Sequence, residues 1–159
     1  MDDDELLTPY TSIHKHLHFL NKRPDIDLIG ILPYNASFPK NWQKHSKTYF
    51  AENMARAPKA LKIPHGTFLD DNYVVLGKVP NIFIARTEKY RAVGYDDNIR
   101  MIDHFEFFFR ASGNIASALS LDSFVLHYHN PFDKYYRIFR SDIKGDSIYI
   151  KRKYSSYFK

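Results

Sequence analysis

An α/β fold built around one core is the architecture this sequence predicts, and three observations predict it. Helical and extended signals alternate along the chain without internal repeats or low-complexity stretches, the pattern of helices laid against a sheet. At 159 residues and 44% hydrophobic composition there is room for one domain with a real core and none for two. No apolar run approaches membrane-spanning length, and no basic-then-apolar segment opens the chain. Neither a span nor a signal peptide is therefore expected, and a cytoplasmic location is, with contact at the inner membrane face as an extension of it. Zero cysteines exclude disulfides and thiolate metal sites. Asp, Glu and His remain as metal ligands, a set that suits hard cations such as Mg²⁺ or Mn²⁺.

The chain opens on Asp2-Asp3-Asp4-Glu5. Adjacent carboxylates repel one another, so a fold keeps them together chiefly where a divalent cation or a set of donors offsets the charge. A solvated terminus, or the negative first turn of a helix, is the alternative. Thr11 or Ser12 can then cap a helix to about residue 21, with Ile13, Leu17 and Leu20 on one face and Pro24 just past its end. Residues 26–32 read as a buried strand. Residues 33–65 carry four prolines, Trp42 and many charges with no clean period, so they are expected to form an excursion over a site or a partner. Residues 74–76 and 81–85 read as strands around a turn at 77–80. Thr87 can cap a short helix ending at Gly94, and Gly94-Tyr95-Asp96-Asp97 reads as an exposed turn. Residues 103–112 form an amphipathic helix carrying Phe105, Phe108 and Phe109 and closed by Gly113. Strands follow at 115–119 and 124–127.

Two charge patterns stand out. Glu106 lies one turn before Arg110 and three residues after Asp103. Both acids can project toward one site from the first turn, or they can complement the helix dipole and form an intrahelical ion pair. The net charge of +5 arises largely from Lys134, Arg137, Arg140, Lys144, Lys151, Arg152, Lys153 and Lys159. That run reads as a solvated basic surface, or as a face for polyanions or an anionic membrane. Its interleaved Tyr135, Tyr136, Tyr149, Tyr154 and Tyr157 would supply stacking groups.

In this order the pieces resemble the GT-A-fold glycosyltransferases, distantly those of family 2 and more nearly the β-1,4-N-acetylgalactosaminyltransferases that build gangliosides. The resemblance is carried by the acid motif followed by a helix and then Asp27-Leu28-Ile29-Gly30. It continues in Asn81-Ile82-Phe83-Ile84-Ala85-Arg86-Thr87, in Val93-Gly94-Tyr95-Asp96, and in His104-Phe105-Glu106-Phe107-Phe108. It covers residues 1–130, thins between 33 and 65, and leaves 131–159 as a basic, Tyr-rich extension of a single partial domain. The fold it implies is the second half of a GT-A domain, a mixed sheet with flanking helices. The activity it implies is inverting transfer from a nucleotide-sugar donor, a UDP-sugar, to a glycan or lipid-linked acceptor, in a setting such as bacterial capsule or lipid-linked glycan synthesis.

The resemblance also assigns roles. Asp2, Asp3 and Asp4 would bind the donor and its ion, with Asp4 on Mn²⁺ or Mg²⁺ directly and Asp2 on the ribose or the ion's water shell. His127 would be the third protein ligand, with His129 as its substitute on the same strand face. Glu106 or Asp103 would take the acceptor proton, His104 would orient the acceptor or the base, and Gly94, Tyr95 and Asp96 would shape the acceptor loop. The chain departs from the family in having Asp103 and His104 where a Glu-Asp pair stands, which leaves the base open between the two acids.

It departs again in having no βαβ unit before Asp2, where the resembled enzymes bind the nucleotide. The chain is expected to be a truncated gene, a fragment or one part of a split protein, its donor site completed by a partner chain. Loss of the first strands would expose a sheet edge and favour a homo-oligomer. A second class remains open, a non-catalytic interaction module that binds polyanions or a partner chain. No nucleic acid is expected as a partner.

Overall fold

The computed structural model describes residues 4–36, 50–51, 53–128, 134–139 and 143–158. Its elements in order are β1 (Glu5–Leu7), α1 (Ile13–Lys22), β2 (Leu28–Asn35), β3 (Phe68–Asp70), β4 (Tyr73–Val75), β5 (Phe83–Ala85) and α2 (Thr87–Val93). They continue with α3 (Asp103–Ala111), β6 (Ser117–His127), α4 (Lys134–Phe139) and α5 (Ile143–Lys153). The expected α/β class holds: one mixed sheet of six strands among the described residues, flanked by helices. Much of the excursion expected over residues 33–65 lies outside the described residues.

β6 is the axis of the sheet. β2 runs parallel to it along one side, from Leu28 beside Ser117 to Asn35 beside His127. On the other side β4 pairs antiparallel with its first half, Val74 beside Leu119, and β1 with its end, Leu6 beside Leu126. β5 closes one flank by pairing with β2, and β3 the other by pairing with β4. The two strands expected at 115–119 and 124–127 are thus one continuous strand. An irregularity opposite Gly30 to Leu32 absorbs the extra residues 120–123, as bulges do.

The alternation of side chains along β2 builds two cores. Leu28 and Leu32 face α3, whose Phe107, Phe108 and Ala111 are buried against them. Ile29 faces the other way, onto Leu20 of α1 with Ile26, Tyr73 and Val75. Gly30 marks where the chain crosses closest, since a Cβ there would stand 2.5 Å from Cβ of Val79.

α1 differs from expectation in what it buries. Ser12 precedes it without a side-chain cap. Thr11 Oγ1 instead donates to the Phe124 carbonyl at 2.7 Å, and Thr8 Oγ1 to the same carbonyl at 3.1 Å, tying the end of β1 to β6. Of the predicted apolar face only Leu20 is buried; Ile13 and Leu17 are 42% and 45% exposed. Their place is taken by His16, fully buried, with Nδ1 3.0 Å from the Tyr73 hydroxyl.

Two arginines finish helices in place of water. Arg86 donates to the carbonyls of Leu20 at 2.5 Å and Ile26 at 3.1 Å, closing α1. Arg110 donates to Val93 at 2.6 Å and Gly94 at 2.8 Å, closing α2 as Gly94 turns out with φ of 60°. Ile150 of α5 and Tyr154 just past its end lie on Phe109 of α3, so part of the basic C-terminal run belongs to the core. Among the described residues no helix is long and apolar enough to cross a membrane.

Gly30→Ala is expected to lower stability by about 1–3 kcal/mol through overpacking against Val79. In urea melts of Gly30→Ala, Val79→Ala and the double variant, the two losses should sum to more than the loss in the pair, because the smaller side chain frees the space the new methyl needs.

Candidate active site

The antiparallel pairing of β1 with the end of β6 sets Glu5 opposite His127, and Tyr128 N–H donates to the Asp4 carbonyl at 2.8 Å. Residues at opposite ends of the sequence thereby meet: Asp4 Oδ2 lies 3.1 Å from His127 Nε2, with side chains 20% and 25% exposed. Asp4 Oδ1 is buried and accepts no hydrogen bond. Asp2, Asp3 and His129 lie outside the described residues, and among those described no three His, Asp or Glu side chains converge as an ion's ligands.

The pair fits a divalent cation in two respects. A carboxylate oxygen and an imidazole nitrogen are donors that Mn²⁺-like ions accept together. Adjacent ligands on an octahedral ion at about 2.1 Å stand about 3 Å apart, so the 3.1 Å separation suits shared coordination as well as it suits a direct hydrogen bond. An orphaned carboxylate oxygen beside them supplies further acceptor capacity.

The first turn of α3 is anchored near the middle of β2. α3 precedes β6 in the chain and packs on Leu28 and Leu32 of β2. His104 Nε2 reaches the Val79 carbonyl at 2.6 Å, over the Gly30 crossing. Burial, reinforced by the nearby Lys78 ammonium, lowers its pKa to about 4, so the ring is neutral at pH 7. The proton stays on Nε2 for Val79, and the lone pair of Nδ1 is buried without a partner. Asp103 is half-buried at the start of the helix, its Oδ1 accepting the N–H of His104 at 2.8 Å.

Glu106 does not turn with Asp103 toward a common site. It is fully buried, and its Oε1 accepts from Arg110 Nε at 2.6 Å, from Lys153 Nζ at 2.8 Å and from the Tyr154 hydroxyl. Burial favours its neutral form, but these three donors outweigh it and hold the carboxyl below its ordinary pKa. The same contact and burial push the Tyr154 hydroxyl up to about 12. A carboxylate so bound is a poor proton acceptor. Its other oxygen, Oε2, is buried without a partner.

The turn expected to be exposed is only partly so. Tyr95 is 37% exposed and its hydroxyl donates to Asn81 Oδ1 at 3.0 Å, whereas the Asp96 side chain is 11% exposed. Asp96 accepts from the N–H of Asn98 at 3.0 Å, from Tyr149 OH at 3.0 Å and from Lys153 Nζ at 2.5 Å. The Lys153 ammonium, with the Asn98 N–H, holds its carboxyl far below the usual range.

Over 132 residues, 80% of its length, the chain is 29% identical to beta-1,4 N-acetylgalactosaminyltransferase 1 of Rattus norvegicus and likewise 29% identical to that of Mus musculus. The similarity supports a relationship to glycosyltransferases. The chain spans 24% of the length of these curated relatives. No family model matches it, and no solved structure matches it significantly.

The structure adds two residues that the sequence pattern leaves in the basic run. Asp146 is 7% exposed, and its Oδ2 accepts the N–H groups of Arg100 at 3.1 Å, Met101 at 2.6 Å and Ile102 at 3.2 Å, which fixes the approach to α3. Lys153 joins Asp96 to Glu106. The signal was present as a helical spacing of Asp146, Tyr149, Ile150, Lys153 and Tyr154, one face of α5, but the density of charge around it favoured a solvated surface.

Acidification is expected to weaken the fold through His104. The unfolded ring takes a proton as pH falls below 6.5 while the folded ring resists to about pH 4, so stability is full above that window and is lost as pH drops through it. Between pH 7 and pH 5 the loss from this group is about 2 kcal/mol. Buried His16 shifts in the same direction. Urea melts at the two pH values should therefore show the wild type losing more than His104→Gln; equal losses would refute the assignment.

Proposed function

We propose that this chain is the metal-holding and acceptor-side segment of a glycosyltransferase. It would move a sugar from a nucleotide-sugar donor to a hydroxyl of a glycan or lipid-linked acceptor. The observation that carries the proposal is the meeting of Asp4 and His127 at the carboxyl edge of the sheet, in a chain similar to two such enzymes. Mn²⁺ or Mg²⁺ bound by Asp4 and His127, with Asp2 from the same motif, would neutralise the diphosphate leaving group. The relatives' names point to an N-acetylhexosamine as the transferred sugar, and UDP would be its carrier.

In the inverting reaction the acceptor hydroxyl gives its proton to a carboxylate while its oxygen attacks the anomeric carbon, and the nucleoside diphosphate leaves from the opposite face. Asp103 suits the part of base better than Glu106, which is enclosed and bound to three donors. His104, neutral and anchored on Val79, holds the first turn of α3 that presents Asp103. Gly94, Tyr95 and Asp96 would form the acceptor side, with the Tyr95 ring as its exposed surface. Because the chain spans 24% of its relatives, residues outside it, on a longer chain or a partner, would complete the nucleotide site.

Calorimetric titration with MnCl₂ and then with UDP in its presence tests the reading. Saturable UDP binding that needs the metal is expected, and Asp4→Ala and His127→Ala should each weaken Mn²⁺ by at least about tenfold. The absence of metal-dependent binding would leave a non-catalytic interaction module. Asp103→Asn should cut transfer by at least about 100-fold with UDP affinity unchanged, whereas Glu106→Gln should chiefly lower the melting temperature; the reverse pattern would return the base role to Glu106.

A further inference from the structure

We propose that Lys153 is a positioning residue for the acceptor side of the site, so that α5 belongs to the catalytic unit rather than to a solvated tail. One ammonium spans two elements, donating to Asp96 Oδ2 at 2.5 Å in the turn after α2 and to Glu106 Oε1 at 2.8 Å within α3. Those two carboxylates would repel each other if brought together without it. Lys153 therefore fixes their spacing as well as neutralising them. The inference rests on the acceptor-side reading of residues 94–96 given above.

The rest of the α5 face acts on the same stretch of chain. Tyr149 OH binds Asp96, Tyr154 OH binds Glu106, and the Asp146 carboxylate holds three consecutive N–H groups ahead of α3. Residues 94–106 are thus gripped in three places: at the turn, at the loop and on the helix. Tyr95 adjoins the first grip and Asp103 lies between the second and third. On the acceptor-side reading, a surface exposed to an acceptor and a carboxylate to take its proton are held in one frame by α5. An exposed lysine bridge would contribute little. This one is 31% exposed at its side chain, but its partners are 11% and 0% exposed, and releasing it would leave both carboxylates short of a donor.

Three variants test this: Lys153→Met, which keeps the stem and loses the charge; Lys153→Arg, which keeps the charge; and Lys151→Met, on the exposed side of the same helix. Amide hydrogen exchange is read over residues 94–104, with β6 as the internal reference. Lys153→Met should speed exchange over 94–104 by about tenfold while β6 stays protected; Lys153→Arg should recover most of that protection, and Lys151→Met should match the wild type. Unchanged exchange in Lys153→Met, or an equal rise in β6, would overturn the clamp.

A kinetic arm uses MnCl₂, UDP-N-acetylgalactosamine and a panel of methyl hexosides as acceptors. Lys153→Met should raise the acceptor KM at least severalfold with calorimetric UDP affinity unchanged; an unchanged acceptor KM would overturn the positioning role even if exchange rises. A wild-type chain without metal-dependent UDP binding would instead overturn the transferase reading and the positioning role with it. The exchange arm would still decide separately whether Lys153 clamps residues 94–104.

Discussion

The pairing of β6 on both of its sides is the constraint on which the rest depends. An eleven-residue strand can hold β2 along its whole length on one side and still offer its other side to two short strands in succession, β4 and then β1. A three-residue strand such as β1 has few ladder bonds of its own and is stable only as an addition to a strand already in place. Its attachment at the end of β6 puts Asp4 beside His127. Loss of register at the end of β6 would therefore separate Asp4 from His127.

Around that sheet the protein meets its buried polar groups with charged side chains. Arg86 and Arg110 each take the last carbonyls of a helix, Asp146 takes three N–H groups, and buried Asp27 accepts from the N–H of Ala116 and from Lys62. Each removes a desolvation cost that an apolar residue would leave. Among the described residues the buried side-chain atoms left without a partner include Asp4 Oδ1, His104 Nδ1 and Glu106 Oε2. Three candidate site residues share this property, which suits a surface prepared for a ligand at Asp4. At Glu106 the other oxygen is saturated, and the same property reflects enclosure.

The chain therefore separates two acids that its sequence places together in one helix. Asp103 stands at the start of α3 and Glu106 one turn later, close enough to suggest a joint acid pair. Packing turns them to different neighbours: Glu106 goes inward to the cations of α3 and α5, and Asp103 stays at the helix start. The inward acid ties α3 to α5, and the other caps the start of the helix by accepting the N–H of His104.

Local physics made much of this legible. The alternating signals, the run of β-branched and aliphatic residues in β2, the turn at Gly94 and the phenylalanines of α3 specify their elements through backbone sterics and burial period, which act over a few residues. The clustering of acids at the start of the chain, with no cysteine anywhere, limited what an ion site could contain. What the sequence left undecided was every choice between faces and partners. It put Ile13 and Leu17 on one face of α1 where His16 is the residue buried, read two strands where β6 is one, and read a solvated run where Asp146 is buried and Lys153 binds buried carboxylates. Such choices depend on which distant segment arrives to cover a side chain, and a charge is read as solvated until its opposite is in place. The sequence by itself determined the elements and the kinds of chemistry available. Only the tertiary structure decided that Asp4 meets His127 and that Glu106 is enclosed, because long-range strand pairing and burial set those contacts.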